Sequence, residues 1–299
     1  MSKGNGRKGL YSLVRVNLRA LGLSILAAIL GTAAILTASA MTPKEEAVPI
    51  PVVMYHSVLK DESRHGKYVI SPAEFENDLI YLKEHGYTTI LMRDLISYTQ
   101  GGSLPEKPVL LTFDDGYYNN YLYAFPLAQK YGCKFVISPI VKYTEAYSET
   151  GETNAYYSHA TWDHLREMAD SGLVEIQNHS YDMHKDHGRI GVKQKPGETD
   201  EAYRQVLTDD LTQAQQAIKT HLGGAPTTFV YPFGAVSKST PEIVKGLGFS
   251  ATLTCREITG EVTRDPESLY GLGRFLRVSG ISSREFFEKH MKLPEQRTA

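Results

Sequence analysis

Short, mostly apolar runs recur along the chain: VVMYH, TTIL, VLLTF, CKFVIS, VEIQN, TTFVYP, FSATLTC and RFLRVS. Runs of this kind, rich in Val, Ile, Phe and Thr and bounded by turn residues, predict buried strands. Between them the apolar spacing changes to that of helices. The clearest helix opens with Ser71 as N-cap, Pro72 at the first helical position and Glu74 at the third, a capping box, and it stops at Gly86. Phe75, Leu79 and Leu82 give it one apolar face. A long helix is predicted from Asp200 to His221, closed by Gly223 and Gly224, a short one starts at Thr240-Pro241-Glu242, and another follows Thr161 as N-cap. Strands alternating with helices imply a parallel sheet. About seven or eight such units in roughly 250 residues imply an α/β fold closed into a barrel.

Two segments fit neither period. Residues 142–160 and 185–199 are polar and long for βα loops, which usually run to about 2–6 residues. Both are predicted as loops, and long loops at one end of a barrel tend to build its site.

The N-terminus follows a different logic. From Ala20 to Pro43 there is no charged residue, and the run is long enough to cross a hydrocarbon core of about 30 Å. Lys3, Arg7, Lys8, Arg15 and Arg19 precede it and acidic residues follow, which by the positive-inside rule keeps the N-terminus cytoplasmic and the rest outside. A secretory signal ending at Ala38-Ser39-Ala40 and an uncleaved signal anchor both fit, and the length of the run favours the anchor. The expected organisation is a basic segment (1–19), a membrane-spanning or signal helix (20–41), a linker (42–51), one domain (52–291) and a tail (292–299).

Of 299 residues, 32 are Lys or Arg and 34 are Asp or Glu, and the basic N-terminus conceals an acidic excess in the remainder. Neutralising phosphates needs a basic face, so no nucleic-acid partner is expected. Nothing in the pattern asks for a protein partner either. Cys133 and Cys255 lie in apolar runs and are predicted to be free thiols, although export would permit a disulfide.

Candidate chemistry collects just after the strands. His56 follows VVMY, Asp114 and Asp115 follow VLLTF, His179 follows VEIQN and Pro232 follows FVY. In a (β/α) barrel, active sites are built at these C-terminal strand ends. Two adjacent carboxylates there are costly unless a cation or a shared proton neutralises them. His179 and His184 could join one aspartate as three ligands with a position open for water, the count of a catalytic metal site.

TFDDG at Thr112 to Gly116 resembles the first motif of the NodB-homology polysaccharide deacetylases, carbohydrate esterase family 4. NHSYDMH resembles the second motif, VYPFG at Val230 to Gly234 the third, and PVVMYHS the opening stretch of many members. The resemblance covers about residues 50–280. It implies a distorted (β/α) barrel of about seven parallel strands (NodB-type) and a hydrolase that removes N-acetyl groups from peptidoglycan or poly-N-acetylglucosamine, releasing acetate. Position by position it implies Asp114 as catalytic base and Asp115, His179 and His184 as ligands of a divalent metal. Zn²⁺ is expected, with Co²⁺, Ni²⁺ or Fe²⁺ as alternatives. A carboxylate on the metal loses basicity while its neighbour keeps it, which supports that division. Phe233 would offer its backbone N–H to the oxyanion, with Pro232 fixing the turn. Tyr231, Pro232, Tyr156 and Tyr157 are candidates for contact with the glycan, as are Tyr143 and Tyr147, while Trp162 reads as packing.

The chain also departs from the family pattern. His179 and His184 are five apart, as in members related to poly-N-acetylglucosamine deacetylases, and Val230 stands where an Arg is expected. The Asp/Trp fourth motif and the late Leu-x-His, source of the general acid, are missing. His56 is the leading candidate for proton donor, with a purely structural histidine as the alternative. Arg274 or Arg277 could take the place of the missing Arg beside Asp114. His187 and Asp182 read as outer or solvated groups. These departures keep open an inactive glycan-binding module. A glycoside hydrolase fits poorly, because adjacent carboxylates do not supply the spacing of about 5–5.5 Å or more that it needs.

Overall fold

A computed structural model describes residues 47–293. The apolar run over residues 20–41, and with it the predicted membrane or signal helix, lies outside the described residues. Among the described residues no helix is long and apolar enough to cross a membrane.

The strands are β1 (Val48–Ile50), β2 (Val52–Tyr55), β3 (Ser57–Val58), β4 (Val69–Ile70), β5 (Thr88–Ile90), β6 (Pro108–Asp115), β7 (Phe135–Pro139), β8 (Val174–Ile176), β9 (Thr228–Val230), β10 (Ala251–Leu253), β11 (Gly260–Val262) and β12 (Phe275–Leu276). Every apolar run that predicted a strand contains one. Parallel pairing runs from β12 to β2, β6, β7 and β8. Asn178, just past β8, bridges in parallel to Phe229 of β9, which pairs with β10, and Leu253 of β10 bridges to Leu272 ahead of β12. The parallel ladder thus returns to β2, and two of its joins are single bridges. β5 pairs with the first residues of β6.

The alternation along β6 aims the site. All eight of its residues are buried. Val109, Leu111 and Phe113 pack with Phe75, Leu79 and Leu82 of the helix Pro72–Glu84. Leu110 belongs to a different cluster, with Val52, Val136, Val230 and Leu253 from the other ring strands. With a strand period of two, Thr112 and Asp114 continue the Leu110 side, so Asp114 is directed into the ring.

The helices follow their sequence punctuation. In the predicted capping box the Glu74 N–H donates to Ser71 Oγ (3.1 Å) and the Glu74 carboxylate accepts from the Ser71 N–H (2.8 Å). The others span Trp162–Asp170 behind Thr161, Asp200–Leu222 behind Thr199, and Thr240–Gly246. Both cysteines are free.

Three expectations need correction. Val141–Thr150, which takes in the first half of the segment predicted as a loop from residue 142, is a helix. Its buried residues are Val141 and Thr144, a stripe too narrow to show as periodicity in a polar run. β1 falls inside the predicted linker, where it pairs antiparallel with β11 and buries Ile50 completely. At the other end Leu293, assigned to the tail, is buried in the core.

Candidate active site

The site begins at a forced turn. Asp115 has a φ of 66° and Gly116 a φ of 76°. A Cβ on Gly116 would lie 2.7 Å from the Cβ of Pro139, so glycine alone fits there. Left-handed backbone at a non-glycine residue costs on the order of 1 kcal/mol or more. Here it is held by the Asp115 carbonyl, which accepts from the Ile140 N–H (3.2 Å) and from His159 Nδ1 (2.9 Å). The turn has a chemical consequence. Neighbouring side chains on a straight strand face opposite ways, yet Asp114 and Asp115 both line one cleft.

Asp115 meets the two histidines of the second motif. Its Oδ1 lies 3.6 Å from His179 Nε2 and 3.3 Å from His184 Nε2, and the three potential ligand atoms lie within 4.8 Å of one another. His179 Nδ1 donates to the Val230 carbonyl (2.8 Å), which leaves the Nε2 lone pair free to face Asp115. Burial lowers the pKa of His179 to about 3, and it lowers that of His184 as well. Burial, with the Asp114 charge as a further contributor, pushes Asp115 up to about 6. Asp115 Oδ1 is buried without a hydrogen-bond partner. A buried acceptor facing two neutral imidazoles is costly as it stands, and two nitrogens and one carboxylate oxygen suit a divalent cation. These residues therefore fit a metal.

The loop that carries the histidines is held from outside. Asp210, on the helix Asp200–Leu222, accepts from the N–H groups of Tyr181 and Asp182 at 2.8 Å each. This supports the five-residue spacing from His179 to His184. No sequence signal distinguished Asp210 from other acidic residues of its helix.

Asp114 is held by Arg274, with Nη1 2.6 Å from Oδ1 and Nη2 2.8 Å from Oδ2. Arg274 is fully buried, and it also donates from Nε to the Thr254 carbonyl (3.0 Å) and from Nη1 to Thr112 Oγ1 (3.2 Å). Burial pushes the Asp114 pKa up, but the Arg274 charge and hydrogen bonds, together with His179 and His56, outweigh it and hold the carboxyl well below the usual range. Arg277, the other candidate, is committed elsewhere. It pairs with buried Asp78 (2.9 and 3.2 Å), which also accepts from Ser283 and Tyr55.

His56 Nε2 lies 4.0 Å from Asp114 Oδ2, and burial lowers its pKa. Phe233 has a φ of 57°, is half exposed, and sets its ring 4.3 Å from that of His184. His56, Phe233, His184 and Tyr156 line the same cleft of about 590 Å³ as the two aspartates. Tyr231, Pro232 and Tyr157 do not. Tyr231 is buried against Phe229, Pro232 is buried in the turn that follows β9, and the Tyr157 hydroxyl donates to Glu152. An apolar residue at a strand end packs inward as readily as it faces a ligand, which is why the motif alone misplaced the first two. Tyr143 and Tyr147 stack on His159 at 4.7 and 5.8 Å. Trp162 is buried against His221, Asp182 pairs with Lys142 and Lys185, and His187 is exposed beside Asp186. The cleft also takes in Arg64, Lys67, Tyr68 and Tyr117, to which no motif pointed.

A parallel ring of strands with two aspartates and two histidines gathered at its C-terminal ends defines a candidate metal-binding site in a (β/α) barrel. The polysaccharide deacetylase family model matches residues 101–252, about half of the chain. The chain belongs to this family, the polysaccharide N-deacetylases of carbohydrate esterase family 4. It is 24% identical over 274 residues to the poly-beta-1,6-N-acetyl-D-glucosamine N-deacetylase of Escherichia coli K12, an alignment covering 82% of this chain and 39% of that one. Among solved structures, a de-N-acetylase from Aggregatibacter actinomycetemcomitans superposes with a TM-score of 0.68 at 26% identity, covering 80% of this chain and 100% of that one. IcaB from Ammonifex degensii gives 0.63 at 30% identity, covering 78% and 93%.

Proposed function

We propose that the chain removes N-acetyl groups from a cell-surface polysaccharide, peptidoglycan or poly-N-acetylglucosamine, using a divalent metal held by Asp115, His179 and His184. The observation that carries the reading is the buried, unpartnered Asp115 Oδ1 facing two histidine nitrogens. A cation bound there, Zn²⁺ or alternatively Co²⁺, Ni²⁺ or Fe²⁺, would polarise the acetamide carbonyl and lower the pKa of water. Asp114, kept ionised by Arg274, takes the proton of the attacking water as general base. The backbone N–H of Phe233 donates to the oxygen on which negative charge develops. His56 delivers a proton to the departing nitrogen. Tyr156 and the exposed ring of Phe233 offer apolar faces to sugar rings.

The location belongs to the same proposal. The uncharged run from Ala20 to Pro43, preceded by basic residues, anchors the chain in the membrane and presents the domain outside the cytoplasm, next to either glycan.

Acetate release tests the activity. Detergent-solubilised full-length protein, loaded with Zn²⁺, Co²⁺ or Ni²⁺, is expected to free acetate from N-acetylglucosamine oligomers. A folded sample that frees none from any glycan with any metal overturns the proposal. Metal content and glycan affinity without acetate would support a binding module instead, and new reducing ends without acetate would indicate a glycoside hydrolase.

A further inference from the structure

One wall of the cleft carries charge that the proposed reaction does not use. The loop joining β3 to β4 contributes Arg64, Lys67 and Tyr68 to the cleft that holds His56, Asp114 and Asp115. Each cation sits against a tyrosine of the rim. Lys67 Nζ is 5.1 Å from the centre of the Tyr68 ring, and Arg64 Cζ is 6.0 Å from that of Tyr156. Both rings are about half exposed, at 49% and 54%. The Tyr68 ring is also 4.8 Å from that of His56, which puts the first of these pairs within one sugar unit of the catalytic centre.

The charges are available. Asp61, close enough to Arg64 to feel its charge, gives Oδ1 to the N–H and hydroxyl of Ser63 and does not line the cleft. Glu257, on the cleft wall, accepts the Leu276 N–H. Asp114 and Arg274 neutralise each other. What remains at the rim is two cations beside aromatic rings, outnumbering the Glu257 carboxylate on the same wall. A sugar packs its C–H face on such a ring, and a carboxylate on that sugar then reaches the adjoining cation.

We propose that Arg64 and Lys67 make the cleft select N-acetylated glycans that carry a carboxylate on or beside the sugar stacked at Tyr68 or Tyr156. The proposal rests on the deacetylase reading and deepens it by naming a substrate class. Two sources share this chemistry: the lactyl ether of N-acetylmuramic acid in peptidoglycan strands, and a succinyl ester on poly-N-acetylglucosamine.

Binding and acetate release together test it. Metal-loaded full-length protein is titrated calorimetrically, at low and high salt, with three oligomers of equal length: neutral N-acetylglucosamine, alternating N-acetylglucosamine and N-acetylmuramic acid, and O-succinylated N-acetylglucosamine. A carboxylate-bearing oligomer is expected to bind roughly five-fold more tightly than the neutral one, the size of an exposed ion pair. High salt should erase that advantage, and the double variant Arg64→Gln/Lys67→Gln should bring the ratio close to one. Whichever carboxylate oligomer gains identifies the source. Equal binding of all three by the wild type, or an advantage that survives in the double variant, overturns the proposal. Acetate from the neutral oligomer without a carboxylate advantage would leave the deacetylase reading standing alone. A carboxylate advantage without acetate from any oligomer would support the selectivity and overturn that reading.

Discussion

Arg274 clamps Asp114 at two points, 2.6 and 2.8 Å, although 160 residues separate them in the chain. The ring explains the meeting. β12, which Arg274 precedes, lies beside β2, and β2 lies beside β6, so the end of the domain returns to the strand that carries the aspartates. For such a partner of Asp114 the family resemblance implied an Arg two places before Pro232. Here that position is Val230, which packs in the apolar cluster inside the ring.

Replacing Arg274 with Met should leave a buried carboxylate without its counter-charge. Breaking a buried pair from one side typically costs about 3–5 kcal/mol. With the guanidinium gone, burial is opposed only by the weaker influence of His179 and His56, and the Asp114 carboxyl should move upward. Arg274→Lys should lose less, since it retains the charge but not the two-point geometry. Urea denaturation of both variants reads the order directly, and a wild-type midpoint in Arg274→Met would show that the clamp does not stabilise the fold.

Asp115→Asn, His179→Ala and His184→Ala should each lower metal occupancy, because three protein ligands leave no redundancy. Elemental analysis of purified protein measures it. Full occupancy in His184→Ala would remove that residue from the ligand set.

Glu74 gives a stability signal far from the metal. Its carboxylate accepts from the N–H groups of Ser71 and Gly280 and from the hydroxyls of Ser71 and Ser279. Burial pushes its pKa up, but these bonds outweigh burial and the net shift is downward from 4.5. A carboxyl lowered on folding stabilises fully above its unfolded value and loses that contribution as pH falls through its folded value. Glu74→Gln should therefore cost about 1 kcal/mol at neutral pH, the usual scale for a helix cap. The gap from wild type should close in acid. Denaturation midpoints taken from neutral to acid pH check this, and a gap that widens in acid would contradict it.

The strands and the site were legible to different depths. VLLTF reads as a buried strand because its apolar residues are contiguous, and the residues beyond it read as a site because two carboxylates there have no structural excuse. Local signals also set the ends of the helix at Pro72, through Ser71, Glu74 and Gly86. What stayed hidden was non-local. Asp210 supports the histidine loop from a helix about thirty residues downstream, and nothing in its neighbourhood announces this. Arg274 and Arg277 were equivalent on paper, and only the strand order assigns one to Asp114 and the other to Asp78. The helix Val141–Thr150 hid in a polar run because two buried residues suffice to dock it.

Asp114→Asn separates the two aspartates most sharply. The amide matches the carboxylate in shape, so the turn through Asp115 and Gly116 should persist and the three metal ligands should stay in place. It cannot accept a proton from water, and removing a general base typically slows turnover by about 10²–10⁴-fold, or roughly 3–5.5 kcal/mol of barrier. The clamp adds a second consequence. Arg274 is fully buried, and without Asp114 its guanidinium has lost its counter-ion, so the variant should also unfold more easily than the wild type. The expected result is retained metal, slow acetate release at saturating glycan, and a lowered denaturation midpoint measured on the same preparation. Metal content must be determined alongside the rate, so that loss of the cation is not mistaken for loss of the base. If Asp114→Asn loses its metal while Asp115→Asn keeps it, the roles are exchanged, and Arg274 would then be holding a ligand rather than a base.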